Sequence, residues 1–274
     1  MTPARLRIDL AYDGAPFAGF ARQPDQTTVQ GVLEGALQRI VGQDLSATGA
    51  GRTDRGVHAR GQVVHVDVDP GPARAARAIG DVEVLRARLD RLVGEAVTIW
   101  AVRRVPAAFD ARFSAVTRSY RYRLVVGAAA DPIRRHDRWH LAEAVDTVAM
   151  RSAARWLIGE HDFASFCRRA PGRSTVRRID RIVVARPAQG RVDVAIDGPA
   201  FCHQQVRSIV GCLVEVGRGR RAPAWLADVL AAADRSAAAR VAPPHGLTLE
   251  RVSYGRGSPA APPPWARADA RDCG

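Results

Sequence analysis

The strongest constraint on the fold is an order of strand-like and helix-like segments that occurs twice along the chain of 274 residues. Apolar residues alternate with polar ones in Leu6, Ile8, Leu10 and Tyr12, which is the period of a half-buried strand. In 29–41 they recur every three or four positions, the period of an amphipathic helix. Two similar halves of this kind predict an α+β fold with two ferredoxin-like (RRM-like) units and antiparallel sheets.

The order of predicted strands and helices divides the chain into three parts. The first half contains predicted strands at 6–12, 62–68 and 97–105 and predicted helices at 29–41 and 82–94. The second half contains predicted strands at 119–127, 179–186, 191–197 and 246–254 and predicted helices at 145–157, 203–217 and 223–234. The join lies in 106–118, so the expected units are 1–105 and 106–254. Residues 255–274 are rich in Pro, Ala, Gly and Arg, and we expect this tail to be disordered.

The charge of the chain favours a polyanionic partner. All 41 basic residues are arginine, and the formal net charge is +13. Nucleic acid is the commonest partner of such a protein, although the alternative is a charge that only aids solubility. None of the four cysteines forms a C-x-x-C pair, which predicts reduced thiols and no structural zinc. No signal peptide, membrane helix or glycine-rich nucleotide motif is present, so we expect a cytoplasmic protein without a membrane contact, ATP or a dinucleotide.

The segment "GAGRTDRGVHARG" places one carboxylate, Asp54, between Arg52 and Arg55 and between Gly51 and Gly56. Neighbouring positive charge favours the carboxylate form, which suits a nucleophile or an electrostatic stabiliser and not a general acid. The glycines allow a sharp turn and the close approach of a ligand. The alternative is an ordinary surface turn with ion pairs, and the local residues alone do not exclude it.

Three further features are compatible with RNA binding. Tyr120 and Tyr122 alternate with arginines. Tyrosines in such a pattern either stack on bases or lie in the core, and for Tyr122 we expect a position in the core. The loop 168–178 contains five arginines and either contacts phosphates or is merely solvated. His58 is seven residues from the next histidine, a spacing that does not favour a shared metal ion.

Together these stretches resemble one family, the tRNA pseudouridine synthase A (TruA) family. The resemblance covers about residues 5–254 in six ordered blocks. The blocks are "YDGAPFAGFARQPDQTTVQGVLEGAL", "GRTDRGVHARGQVVH", "FDARFSAVTRSYRYRL", "GEHDFASFC", "FCHQQVRSIVGCLVEVGRG" and "APPHGLTL". The chain departs from the family at Phe20 and Ala21, where a tryptophan and a glutamine are usual, and at "QVRS" and "LVGEAV".

The resemblance implies the pseudouridine synthase fold and an isomerisation that needs no cofactor and no metal. The bond from ribose C1′ to uracil N1 breaks, the base rotates, and C5 is joined to C1′. The implied substrate is the anticodon arm of tRNA at positions 38 to 40, bound by a homodimer without another protein partner. Two other functions stay open: an RNA-binding protein of the same fold without turnover, and an N-glycosidase that would release free uracil.

The resemblance also assigns roles to residues. Asp54 is the catalytic nucleophile, Tyr120 stacks on the substrate, and Arg207 is the ion-pair partner of Asp54. We add Arg52 as a second residue that orients Asp54. The residues expected to bind the substrate are Tyr120, Arg55, His58, Arg168, Arg169 and Arg173.

Overall fold

A computed structural model describes residues 2–127, 129–168 and 172–255. Arg169 and all of the predicted tail except Gly255 lie outside the described residues. The strands within these ranges are β1 (Ala4–Tyr12), β2 (Thr48–Gly49), β3 (His58–Val68), β4 (Val97–Arg104), β5 (Thr117–Val126), β6 (Trp139–Leu141), β7 (Gly159–Asp162), β8 (Val176–Ile179), β9 (Arg181–Ala188), β10 (Arg191–Gly198) and β11 (Leu247–Ser253). The helices are α1 (Val29–Val41), α2 (Ala73–Gly80), α3 (Val82–Leu92), α4 (Thr147–Ala154), α5 (Gln205–Gly217) and α6 (Trp225–Ala232).

Nine strands form one sheet that runs through both halves of the chain. Its order is β4-β1-β3-β11-β5-β10-β9, with β2 paired to β3 and β6 paired to β5. Most neighbours are antiparallel, whereas β11–β3 and β5–β6 are parallel. The predicted α+β class with mainly antiparallel pairing is confirmed. The division into units at 105/106 stays a prediction.

The strand β11 joins the two halves at the centre of the sheet. It comes last in the chain but lies between β3 of the first half and β5 of the second. Its contact with β3 is short, pairing Thr248 with His58 and Leu249 with Ala59. On its other edge, Leu249 pairs with Tyr120. The start of β3 and the middle of β5 therefore lie close together.

The apolar periods predict the buried faces of the long elements correctly. Leu6, Ile8, Leu10 and Tyr12 of β1 are all buried. In α1 the side chain of Thr28 caps the first turn by accepting a hydrogen bond from the Gly31 N–H at 3.2 Å. In α5 the predicted inward residues are buried, and they are Val206, Ile209, Val210, Leu213 and Val214.

The structure differs from the sequence predictions in several segments, and the short strands β2, β6 and β7 are not predicted. Helix α2 is not predicted, because its buried side chains are two alanines and Ile79 among arginines, which give a weak apolar period. The helix predicted at 145–157 ends at Ala154 and continues as one 3₁₀ turn. The strand predicted at 179–186 is interrupted at Asp180, whose N–H donates to the Asp197 carbonyl at 2.9 Å. The chain on either side then pairs differently, β8 with β7 and β9 with β10.

No helix within the described ranges is long and apolar enough to cross a membrane.

Candidate active site

The loop that carries Asp54 connects β2 to β3 and is held by the first half of the chain. The Thr53 hydroxyl forms a 2.8 Å hydrogen bond with the Tyr12 hydroxyl, and the Phe20 N–H donates to the Thr53 carbonyl at 3.1 Å. Gln62 Nε2 of β3 donates to the Gly51 carbonyl at 2.8 Å. These contacts therefore fix the backbone of the loop on the N-terminal side of Asp54.

The glycines of the loop have the roles that their positions suggest. The Val57 N–H donates to the Asp54 carbonyl at 3.1 Å and closes a turn. Gly56 lies within this turn at φ +75°, a left-handed conformation that favours glycine. Gly51 lies beside Tyr120, since a Cβ there would be 3.7 Å from the tyrosine hydroxyl. The turn thus presents Asp54 next to β5.

An arginine and a histidine of the second half contact the carboxylate of Asp54. Arg207 Nη1 donates to Oδ2 at 2.8 Å, and His203 Nε2 lies 3.2 Å from Oδ1. The side chain of Asp54 is 21% exposed, against 13% for Arg207 and 48% for His203. Each carboxylate oxygen therefore has one partner, and the group stays accessible to a ligand.

Arg207 and His203, the two partners of Asp54, lie at the start of α5. Arg207 lies in the first turn of the helix, and its Nε also donates to the Ala242 carbonyl at 2.9 Å, which fixes the guanidinium. His203 lies two residues before the helix, and Gln204 between them takes a left-handed φ of +65°. His203 is not among the site residues predicted from the sequence. The available signal was its position four residues before Arg207 in "FCHQQVRS".

Tyr120 of β5 presents its hydroxyl to the site. The ring is 8% exposed and packs edge-on against Phe201, with centroids 5.2 Å apart. Within the described residues no hydrogen bond reaches the hydroxyl. Burial raises its pKa to about 12, so the group is a neutral donor at physiological pH. The ring is buried, and stacking of Tyr120 on the substrate stays a prediction. Tyr122 lies in the core, as expected.

The buried side chain of Arg118 connects the start of the Asp54 loop to the second half. Its guanidinium is buried, and burial lowers its pKa. It donates to the carbonyl of Ala50 through Nε at 3.2 Å and through Nη2 at 2.7 Å. It also donates to the carbonyls of Arg112, at 2.6 Å, and Pro199. One side chain thereby joins the loop, the segment between the halves and the chain that leads to α5.

Arg52 and Arg55 do not hold the carboxylate that they flank. Both are exposed, and neither forms a hydrogen bond or ion pair with Asp54 in the part of the chain that the structure describes. Arg55 Nη2 instead donates to Gln26 Oε1 at 3.1 Å. The orienting contact that we expected from Arg52 is made by Arg207 and His203. A role for the two flanking arginines in RNA binding stays a prediction.

The other expected substrate-binding residues lie around the loop. The ring of His58 accepts the Gly14 N–H at Nδ1, at 3.1 Å, and lies 3.0 Å from the His245 carbonyl at Nε2, so it holds the backbone together. Arg168 and Arg173 are exposed. The Arg168 N–H donates to the His203 carbonyl at 3.0 Å, which places Arg168 beside the site. No group of three or more metal-ligating side chains occurs in the described ranges.

The sequence of the chain is similar to those of known proteins along most of its length. The sequence profile of a family described as tRNA pseudouridine synthase matches residues 10–113 and 153–255. A "tRNA pseudouridine synthase A" of Frankia casuarinae is 48% identical over 253 residues, covering 91% of this chain and 89% of that protein. Proteins of the same name are 44% identical in Streptomyces griseus, covering 91% and 88% of the two chains, and 42% identical in Brevibacillus brevis, covering 91% and 99%.

The family profile covers both sides of the site, from the loop of Asp54 to the helix of Arg207. The relatives match along most of their own length. The chain therefore belongs to the tRNA pseudouridine synthase family and is an isomerase that converts uridine to pseudouridine.

Proposed function

We propose that the chain modifies uridines in the anticodon arm of tRNA, at positions 38 to 40, with Asp54 as the nucleophile. The observation that supports this most is the carboxylate of Asp54, which Arg207 and His203 hold beside the hydroxyl of Tyr120. The family and its relatives supply the substrate class, tRNA.

The geometry suits a nucleophile better than a general acid. Arg207 and His203 contact one carboxylate oxygen each and fix the orientation of the group, and each oxygen keeps a lone pair for the substrate. No second carboxylate is required, because the detached base is retained and no water is activated. C1′–N1 breaks, uracil rotates, and C5 bonds to C1′, while C5 loses a proton and N1 gains one. Atoms and charge balance without a cofactor.

The target uridine leaves its stack to reach Asp54, which costs about a few kcal/mol. The Tyr120 hydroxyl is free to bind the displaced nucleotide, because it has no partner in the described residues. The side chains of Arg52, Arg55, Arg168 and Arg173 are exposed and are available to phosphates. We assign them to the RNA backbone next to the target.

The proposal includes a homodimer in the cytoplasm. Phe113 and Val116, on the segment between the halves, are 80% and 55% exposed, which makes them candidates for a subunit contact. Sedimentation of the wild type and of the Phe113→Ser/Val116→Ser variant tests this. A monomeric wild type would contradict the dimer.

Tritium release tests the chemistry. Unmodified tRNA with tritium at uridine C5 is incubated with the wild type, Asp54→Asn and a matched control, Asp228→Asn. Asp228 is an exposed carboxylate on α6, so its loss leaves the site unchanged. We expect release of one tritium per pseudouridine for the wild type and the control, and none for Asp54→Asn. All three proteins should bind tRNA.

Each other outcome identifies an alternative function. Free uracil among the products would indicate an N-glycosidase, and binding without label release by the wild type would indicate an RNA-binding protein. Full activity of Asp54→Asn would contradict the role of Asp54. Cytidine at position 38, 39 or 40, introduced singly, locates the modified uridines.

A further inference from the structure

A cleft lined by arginines lies among the three helices of the first half, outside the site around Asp54. Its volume is about 720 Å³. The five arginines come from all three helices: Arg39 of α1, Arg74 and Arg77 of α2, and Arg88 and Arg91 of α3. All five arginines are exposed. The apolar part of the lining consists of Ile40, Ala78 and Leu92, and Leu92 is 41% exposed.

The positive charge of this arginine cleft is not compensated within the described chain. No aspartate or glutamate lines it. The side chains of Arg39, Arg77, Arg88 and Arg91 form no hydrogen bond or ion pair with any described residue. Arg74 is bound only by neutral groups, the carbonyls of Ile40, at 3.0 Å, and Arg39. A concave surface of one charge sign concentrates the field and attracts counter-ions, which here are anions.

Helix α1 connects the arginine cleft to the candidate active site. At its first residues, the Gln30 N–H donates to the Phe20 carbonyl at 2.9 Å, and Phe20 is bonded to Thr53 in the Asp54 loop. At its last turn, the carbonyls of Arg39 and Ile40 accept hydrogen bonds from the Arg74 side chain. The helix has 13 residues and is about 20 Å long, and the Asp54 loop and the cleft lie at its opposite ends. A polynucleotide that reaches Asp54 can span this distance.

We propose that the arginine cleft is a second binding site for the phosphodiester backbone of the substrate tRNA, away from the target uridine. The inference rests on the proposed function for the identity of the RNA. Guanidinium groups bind phosphate oxygens in pairs, and five of them on three helices match a row of phosphates better than one small anion. The site adds affinity and orientation, and it takes no part in the bond changes.

The test compares two double variants with the same loss of charge. Arg77→Gln/Arg88→Gln removes two guanidinium groups from the cleft. Arg155→Gln/Arg251→Gln, the control, removes two exposed arginines that have no partner in the described ranges and lie outside the cleft. The dissociation constant for full-length tRNA is measured from about 50 to 200 mM salt, where phosphate contacts set the slope. The turnover number is measured at saturating tRNA.

Counterion release fixes the expected effect. Each phosphate contact contributes about 0.7 to 0.9 to the slope of log K against log salt, so two lost contacts lower the slope by about 1.4 to 1.8. At about 0.15 M salt this corresponds to affinity weakened about 15- to 30-fold. We expect this for the cleft variant, with an unchanged turnover number, and a change under about threefold for the control.

An equal loss in both variants would show a general effect of net charge and would overturn the proposal. An unchanged affinity of the cleft variant would do the same, and so would a lower turnover number with unchanged affinity. These outcomes are separate from the proposed function. If the wild type binds tRNA with the expected salt response but forms no pseudouridine, the proposed function fails and the cleft stands.

Discussion

The contact between Arg207 and Asp54 gives the sharpest prediction about the chemistry. Arg207→Met keeps an unbranched apolar stem but removes the guanidinium that binds Oδ2 at 2.8 Å. His203→Gln removes the weaker partner, which lies 3.2 Å from Oδ1 and is 48% exposed. If the carboxylate must be held in one orientation to attack, the two losses should differ in size.

The magnitudes follow from geometry and exposure. A hydrogen bond to a charged group contributes about 1.5 to 3 kcal/mol, and partial exposure of both partners favours about 2 kcal/mol for Arg207. That corresponds to a rate about 30-fold lower. For the exposed His203, about 0.5 to 1 kcal/mol predicts a two- to fivefold loss.

Single-turnover tritium release with enzyme in excess measures these rates, and tRNA binding is measured separately. The affinity should change little, because Arg207 is only 13% exposed and acts through Asp54. Arg155→Met is the matched control, since Arg155 is exposed and has no partner in the described part of the chain. A rate for folded Arg207→Met within threefold of the wild type would refute the reasoning. A larger loss in His203→Gln than in Arg207→Met would refute it as well.

Two further predictions concern tyrosines. Tyr120→Phe should bind tRNA normally and keep its stability at neutral pH, because the hydroxyl has no partner in the described residues, but single-turnover rates should fall about two- to tenfold; an unchanged rate would exclude a role for the hydroxyl. Burial raises the pKa of Tyr12, Tyr120, Tyr122 and Tyr254 above the ordinary value near 10. The unfolded chain then loses tyrosine protons first, so stability is complete below pH 10 and falls as the pH rises, by about 2 kcal/mol at pH 12 for Tyr120 alone. Urea unfolding at a series of pH values should show a shallower fall for Tyr120→Phe, and equal stability at pH 9 and pH 11 would contradict the prediction.

Much of the fold was predictable because its signals are local. The alternation in β1 and the helical period of α5 each depend on residues within one element, and burial of one face follows directly. Helix α2 was missed for the same reason, since its buried residues are mostly alanines. The interruption at Asp180 was missed because the bond that causes it is made to Asp197 on another strand.

The candidate site was predictable only in part. The residues around Asp54 show a flexible turn and a charged carboxylate, and the family resemblance named Arg207. The contact itself joins residues 153 positions apart. Arg52, two residues away in sequence, forms no hydrogen bond or ion pair with Asp54 in the described residues, whereas His203 was not considered. Proximity along the chain was a poor guide to which cation reaches the carboxylate.

The sequence by itself determined the class of fold and the buried faces of its long elements, because these depend on local period, and it made Asp54 the candidate for the chemistry by residue type. Only the tertiary structure decided which groups surround that residue. The last strand, β11, inserts between β3 and β5 and brings the two halves together at Asp54. Likewise, the arginines of three helices form one cleft only after α1, α2 and α3 pack. Long-range strand order and helix packing have no local period, so the sequence pattern does not reveal them.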